Sequence, residues 1–233
     1  MISNLNSYFN KKIKIAYYIL GQVRDYNKSL PSLKRYRLEP LQPDIFVATW
    51  DETGIRYQEK RPVCSASIFE SILKKTYNTK ACHIETCKAK YKDSLHGIGR
   101  TDSLKQHSPK SSAATISMFY LMKKCNDLKA EFEKKHKFKY DLVIKLGADL
   151  IFFKPLRFDQ ITTSIGYSDT LFGDMLTAGV GENGFSDQFV MGDSKSTDII
   201  SSCFDYMNHY WKTPFIKISN RDVCLSAEKL MKY

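Results

Sequence analysis

The chain has 233 residues, 42% hydrophobic and 26% charged, an ordinary globular composition that allows one large domain or two small ones. The apolar run 13–20 is broken by Lys14 and is far too short to span a bilayer, and Asn4, Asn6, Asn10 and the Lys11-Lys12 pair leave no signal-peptide core, so we expect a cytoplasmic, unexported protein. The net charge of +11 suits an anionic partner, but the lysines are spread along the chain without a zinc-finger, RRM or heptad signature, so no specific nucleic-acid partner is expected.

Residues 1–11 read as a flexible tail. Lys12 to Leu20 is a first strand, rich in Ile and Tyr. It runs into Gly21-Gln22-Val23-Arg24, where Gly permits close backbone approach and Arg offers a bidentate fork to a diphosphate. The alternative is a plain strand-to-helix turn. A helix follows over Tyr26 to Leu38, with Pro31 as a candidate start. Asp44 to Trp50 is a second strand, ending at Asp51; Trp50 is either a platform for a planar ring or simply packed. Ser65 to Tyr77 is a helix with Ser67 and Glu70 as a capping pair, and Lys80 to Thr86 is a third strand in which His83 is packed or superficial. The six cysteines show no CxxC pair and read as reduced thiols.

Residues 88–110 read as a long surface loop. Ser111 to His136 is the clearest helix, with Ile116, Phe119, Tyr120, Met122, Leu128 and Phe132 on its apolar face and Ser111 or Ser112 as N-cap. It feeds Tyr140 to Phe153, YDLVIKLGADLIFF. Here an apolar strand ends in a Gly147-Ala148 turn, Asp149 follows, and Leu150 to Phe153 is expected to return to the core. Ligands in sheets of this kind sit at the carboxyl ends of strands, so Asp149 is either a ligand-holding carboxylate or a turn cap. Thr170 to Asp174 is a short strand, 178–184 a glycine-rich loop, and Thr197 to Trp211 a helix capped by Ser194 or Ser196. Residues 226–233 look helical and stop without a cap, so the native chain is expected to continue past Tyr233. The order is α/β, parallel early and mixed later.

Taken as an ordered set, Gly21-Gln22-Val23-Arg24, Thr49-Trp50-Asp51, the YDLVIK strand, the Asp after it, and Asp187-Gln188-Phe189 resemble GT-A-type glycosyltransferases of bacterial and viral polysaccharide and lipopolysaccharide gene clusters. The resemblance spans Lys12 to about Leu230. It implies a single GT-A-like domain over 1–233, with a central, mainly parallel sheet and helices on both faces. It implies a nucleotide-sugar donor, a saccharide or lipid-linked saccharide acceptor, and a role in surface-glycan assembly. Separately, the basic surface leads us to expect peripheral contact with anionic lipid at the inner face of a membrane. Gly21, Gln22, Arg24, Asp51, Lys145 and Asp149 would hold the donor, Asp149 a divalent Mn or Mg ion, Asp187 would be the catalytic base, and Gln188 would lie on the acceptor side. Where such proteins carry RxRxD, this chain reads Lys145-Leu146-Gly147-Ala148-Asp149, and the first Asp of a DxD pair is lacking. Two other readings stand beside this one: a sugar-phosphate nucleotidyltransferase, and a non-catalytic glycan- or nucleic-acid-binding module on the same sheet.

Overall fold

The computed structural model describes residues 12–21, 23, 26–51, 66–85, 109–155, 171–173 and 189–212. The tail 1–11, Gln22, Arg24, Asp187, Gln188, all but the end of the expected 88–110 loop, the 178–184 loop and residues 226–233 lie outside them. The elements run β1 (Ile15–Leu20), α1 (Tyr26–Leu33), β2 (Asp44–Trp50), α2 (Ala66–Tyr77), β3 (Ala81–Glu85), α3 (Pro109–His136), β4 (Leu142–Gly147), β5 (Leu171–Gly173), β6 (Phe189–Gly192) and α4 (Ser194–Lys212). The expected α/β architecture is what the chain forms. One six-stranded sheet has the order β3-β2-β1-β4-β6-β5. Its β3-β2-β1-β4 part is parallel, and β6 pairs antiparallel with both β4 and β5.

The central strands are apolar on both sides because both sides are covered. Ile15, Tyr17, Ile19, Ile45, Val47, Leu142, Ile144 and Leu146 pack with Leu33 of α1 and with Phe69, Leu73 and Tyr77 of α2. Alternate residues Ala16, Tyr18, Leu20, Phe46, Ala48, Trp50 and Val143 pack with Phe119, Leu121, Met122 and Cys125 of α3 and Ile200 of α4. The Cys125 thiol is fully buried, and burial pushes its pKa well up, so it acts as a small hydrophobe.

Several local expectations change. Pro31 lies inside α1 rather than starting it. Proline breaks the helical ladder, and the chain continues from α1 as a π-helical turn, Lys34–Leu38, with Glu39 N–H donating to Lys34 O, before a last helical turn Glu39–Leu41. Helix α3 begins at Pro109 and α2 at Ala66, so Ser111, Ser112 and Ser67 stand within helices rather than capping them. Proline is well suited to a first helical turn, where its missing N–H goes unused. The cap of α4 is Asp193, whose Oδ1 accepts from Ser196 N at 2.7 Å. Strand β6 was not anticipated, and of the segment after Asp149 only Phe152 packs against the core, while Ile151 and Phe153 are exposed.

The amino-terminal edge of the sheet is fastened by acidic residues. Asp141 exchanges hydrogen bonds with Lys14, through Oδ2 from Lys14 N at 2.9 Å and through its own N–H to Lys14 O at 2.9 Å. Asp44 Oδ2 accepts from Tyr140 Oη at 2.7 Å. These carboxylates serve the fold. The acidic residues left at the opposite edge are the ones that bear on a site.

Candidate functional site

From β1 the chain moves outward through β2 to β3, then returns by α3 to lay β4 on the other side of β1. The direction of winding therefore reverses between β1 and β4, and in open α/β sheets the crevice at such a point is where ligands bind. The register brings the two strand ends level, with Leu20 paired to Gly147. Gly21 and the Gly147–Asp149 turn thus leave the sheet side by side.

Gly21 has φ +98°, with open space where a Cβ would stand. Glycine is needed there for backbone conformation, not for lack of room. At Gly147 the reverse holds. A Cβ would lie 3.1 Å from Asp149 Oδ1 and 3.6 Å from Leu150 Cγ. The Asp149 carboxylate folds back over position 147, in a turn marked by a long Leu150 N to Gly147 O contact of 3.4 Å. Asp149 itself is exposed to solvent.

What fixes this turn is α1 and the π turn behind it. Ser29 Oγ donates to Ala148 O at 2.6 Å, Phe152 N donates to Ser32 Oγ at 3.0 Å, and Arg37 Nη1 donates to Lys154 O at 3.0 Å. The Arg37 guanidinium also lies 4.1 Å from the Phe152 ring centre. Arg37 is buried, and burial pushes its pKa down. Sequence reasoning missed Ser29, Ser32 and Arg37. Their partners lie more than a hundred residues away, and no local pattern marks such contacts.

Lys145 sits in β4, level with Tyr18 of β1, and is only 4% exposed. Its ammonium points to the α3 face, 3.9 Å from Met118 Sδ. It is a buried cation on one face of the sheet, two residues short of the strand end. Asp51 follows β2, its N–H donating to Glu85 O at 2.9 Å at the end of β3. Trp50 is packed, not presented: it stacks on Tyr120 at 5.7 Å and its Nε1 donates to Ser117 Oγ at 2.7 Å. Tyr120 Oη in turn donates to the Glu85 carboxylate at 2.7 Å, and His83 Nε2 lies 2.8 Å from Glu85 Oε1. A belt of polar side chains therefore lies beside Asp51, and the part that Glu85 and Tyr120 take in it was not anticipated.

The structure thus brings Gly21 and Asp149 together, puts Asp51 at the end of β2, one strand over, and sets Lys145 beneath them. Among the described residues, no three His, Cys, Asp or Glu side chains gather closely enough to cage a metal ion. A single exposed carboxylate does fit a Mg-type ion, which takes one or two carboxylates and fills its shell with water and substrate phosphate. Gly147 leaves room for the Asp149 oxygen, which a Cβ would crowd at 3.1 Å. Among the described residues no helix is long and apolar enough to cross a membrane.

No family model matches the chain, and no curated protein matches it in sequence. Among solved structures it is similar to the crystal structure of mouse xyloside xylosyltransferase 1 in its apo form, at 10% identity and a TM-score of 0.47, over 94% of this chain and 80% of that one.

Proposed function

We propose that the chain is a single catalytic domain of GT-A type that transfers a sugar from a nucleotide-sugar donor to a saccharide acceptor in surface-glycan assembly. The observation that carries this reading is the meeting of Gly21 and Asp149 at adjacent strand ends where the sheet reverses its winding. The ordered motif set along the chain supports it.

In this reading the loop after β1 holds the donor. Gly21 lets the backbone approach the diphosphate, Gln22 donates to it, and Arg24 clamps it through its planar fork. Asp51 accepts from the ribose hydroxyls. Lys145, buried below, adds positive potential in a low-dielectric setting where charge acts strongly. Asp149 holds the divalent cation, Mn or Mg. When bound, that cation supplies charge neutralisation to the departing diphosphate. In an inverting reaction Asp187 accepts the acceptor hydroxyl proton as the acceptor oxygen bonds to the anomeric carbon, the bond from that carbon to the phosphate oxygen breaks, and the nucleoside diphosphate leaves with the bonding pair. Gln188 orients the acceptor.

The test is a thermal-shift screen of UDP-, GDP-, CDP- and dTDP-sugars, with and without Mn²⁺ or Mg²⁺, on the wild type and on Asp149→Asn. One nucleotide series should raise Tm by about 5–10 °C at a hundredfold excess over Kd, and the variant should lose most of that rise. If no nucleotide sugar moves Tm, or if the variant responds as the wild type does, the assignment is wrong.

A further inference from the structure

We infer that the segment just after the Asp149 turn, with the basic residues beside it, is a docking surface for an anionic lipid bilayer. Phe153 is 83% exposed, the most open large apolar side chain among the described residues, and Ile151 is 51% exposed. Their exposure is not that of a loose loop. The backbone between them is held by the Phe152 N to Ser32 Oγ bond, and that after them by the Arg37 to Lys154 O bond. The alternation is sharp: Phe152 packs against the core beneath Arg37, while its neighbours on either side point out. The chain therefore presents an aliphatic and an aromatic tip on a fixed support.

The charges around them are basic. Lys154 adjoins Phe153 and is exposed, and Lys34 and Arg35 are exposed on the turn that carries Arg37. Two exposed carboxylates, Glu39 and Asp149, adjoin the same elements, so the patch is mildly cationic, and the net charge of +11 supplies the longer-range attraction. Two apolar tips are far too little for a stable protein interface, which takes about 800 Å² from each partner. They are enough for a bilayer surface, where a few inserted side chains and several basic residues add up to reversible binding. An anionic bilayer is thus the occupant that matches both the small apolar area and the sign of the charge. Docked in this way, Asp149, two residues before Ile151, faces acceptors at the membrane. That last consequence rests on the glycosyltransferase reading; the binding does not.

The experiment is co-sedimentation of the full chain with phosphatidylcholine vesicles prepared with and without phosphatidylglycerol. The wild type should partition onto the anionic vesicles and fall off as salt is raised. The double variant Ile151→Ser/Phe153→Ser should bind about tenfold more weakly or worse, since it removes the inserted area. Lys154→Ser should weaken binding about fivefold. Both sites are exposed, so Tm should not move, and an unchanged Tm excludes misfolding as the cause. The proposal is overturned if anionic vesicles do not retain the protein, if they retain the double variant equally, or if uncharged vesicles bind as well. It is also overturned if light scattering shows a wild-type dimer that the double variant dissolves, since the patch would then belong to a second copy. No activity is read, so the result stands whether or not a sugar donor is ever found.

Discussion

A methyl group at position 147 would come to 3.1 Å from Asp149 Oδ1, closer than side chains ordinarily tolerate. This gives a geometric reason for the point where the motif departs from RxRxD. A basic side chain there begins with a Cβ that would crowd the folded-back carboxylate and push it aside by a few tenths of an ångström. The chain keeps Asp149 over its own turn and lacks the second charge. We therefore expect Gly147→Ala to leave Tm nearly unchanged, because the carboxylate can move a few tenths of an ångström into solvent. Donor affinity should fall by about tenfold, since displacing a ligand group by a fraction of an ångström is costly at a reacting centre. Titration of the donor identified by thermal shift measures this. Equal affinity in Gly147→Ala and wild type would show that the Asp149 position is not what the donor reads. Gly21 is a different case: its φ of +98° with open space around it makes any substitution a matter of backbone strain.

At the scale of elements, α1 is the part that locates the turn. Ser29 is buried and donates to Ala148 O, itself buried, at 2.6 Å. Ser29→Ala leaves that carbonyl without its donor and should lower unfolding free energy by about 1–2 kcal/mol in urea titration. It should also weaken donor binding, because the Asp149 turn loses its nearest tie. A stability loss without a binding loss would mean the turn is held by Ser32 and Arg37 alone. This helix also marks the limit of what the sequence discloses. Strands β1, β2 and β4 were legible because apolar runs of six or seven residues between turn signals have few other uses. The positions of Gly21, Asp51 and Asp149 just past strand ends were legible for the same reason: each follows such a run. Strand β6 is four residues long with a glycine at its end, and its identity comes from pairing with β4, which no local pattern encodes. The outward turn of Ile151 and Phe153 was hidden too. A run of four apolar residues reads as core unless one knows that Ser32 and Arg37 clamp its backbone from outside.

At the scale of the whole molecule, the antiparallel part of the sheet must be joined to the parallel part, and a buried polar cluster contributes to that. Leu128 and Phe132 of α3 pack against the core as expected, but beside them Lys129 and Glu133 are also buried, 0% and 1% exposed, in the face that meets α4. Lys129 Nζ donates to Ser194 Oγ at 2.6 Å and to Asp198 at 2.8 Å. Glu133 accepts from Ser194 Oγ at 2.7 Å, from Tyr140 N at 2.9 Å and from Lys139 Nζ at 2.7 Å. One carboxylate therefore links α3, the start of α4 and the approach to β4. Such a cluster is tolerable inside only because every member is matched, and removing one member leaves the others exposed to the full cost of burial. Glu133→Ala should lower unfolding free energy by about 3 kcal/mol or more, well beyond the loss of one ordinary hydrogen bond. Asp198 still faces Lys129 in that variant, which keeps the estimate at the lower end of the range for broken buried pairs. The loss should not be spread evenly. Amide exchange should accelerate first in α4 and β6, which lean on the cluster, while β1 and β2, packed on both faces by separate apolar clusters, keep their protection until global unfolding. Uniform acceleration across all strands would show instead that the two parts of the sheet unfold as one and that Glu133 stabilises the molecule without joining them.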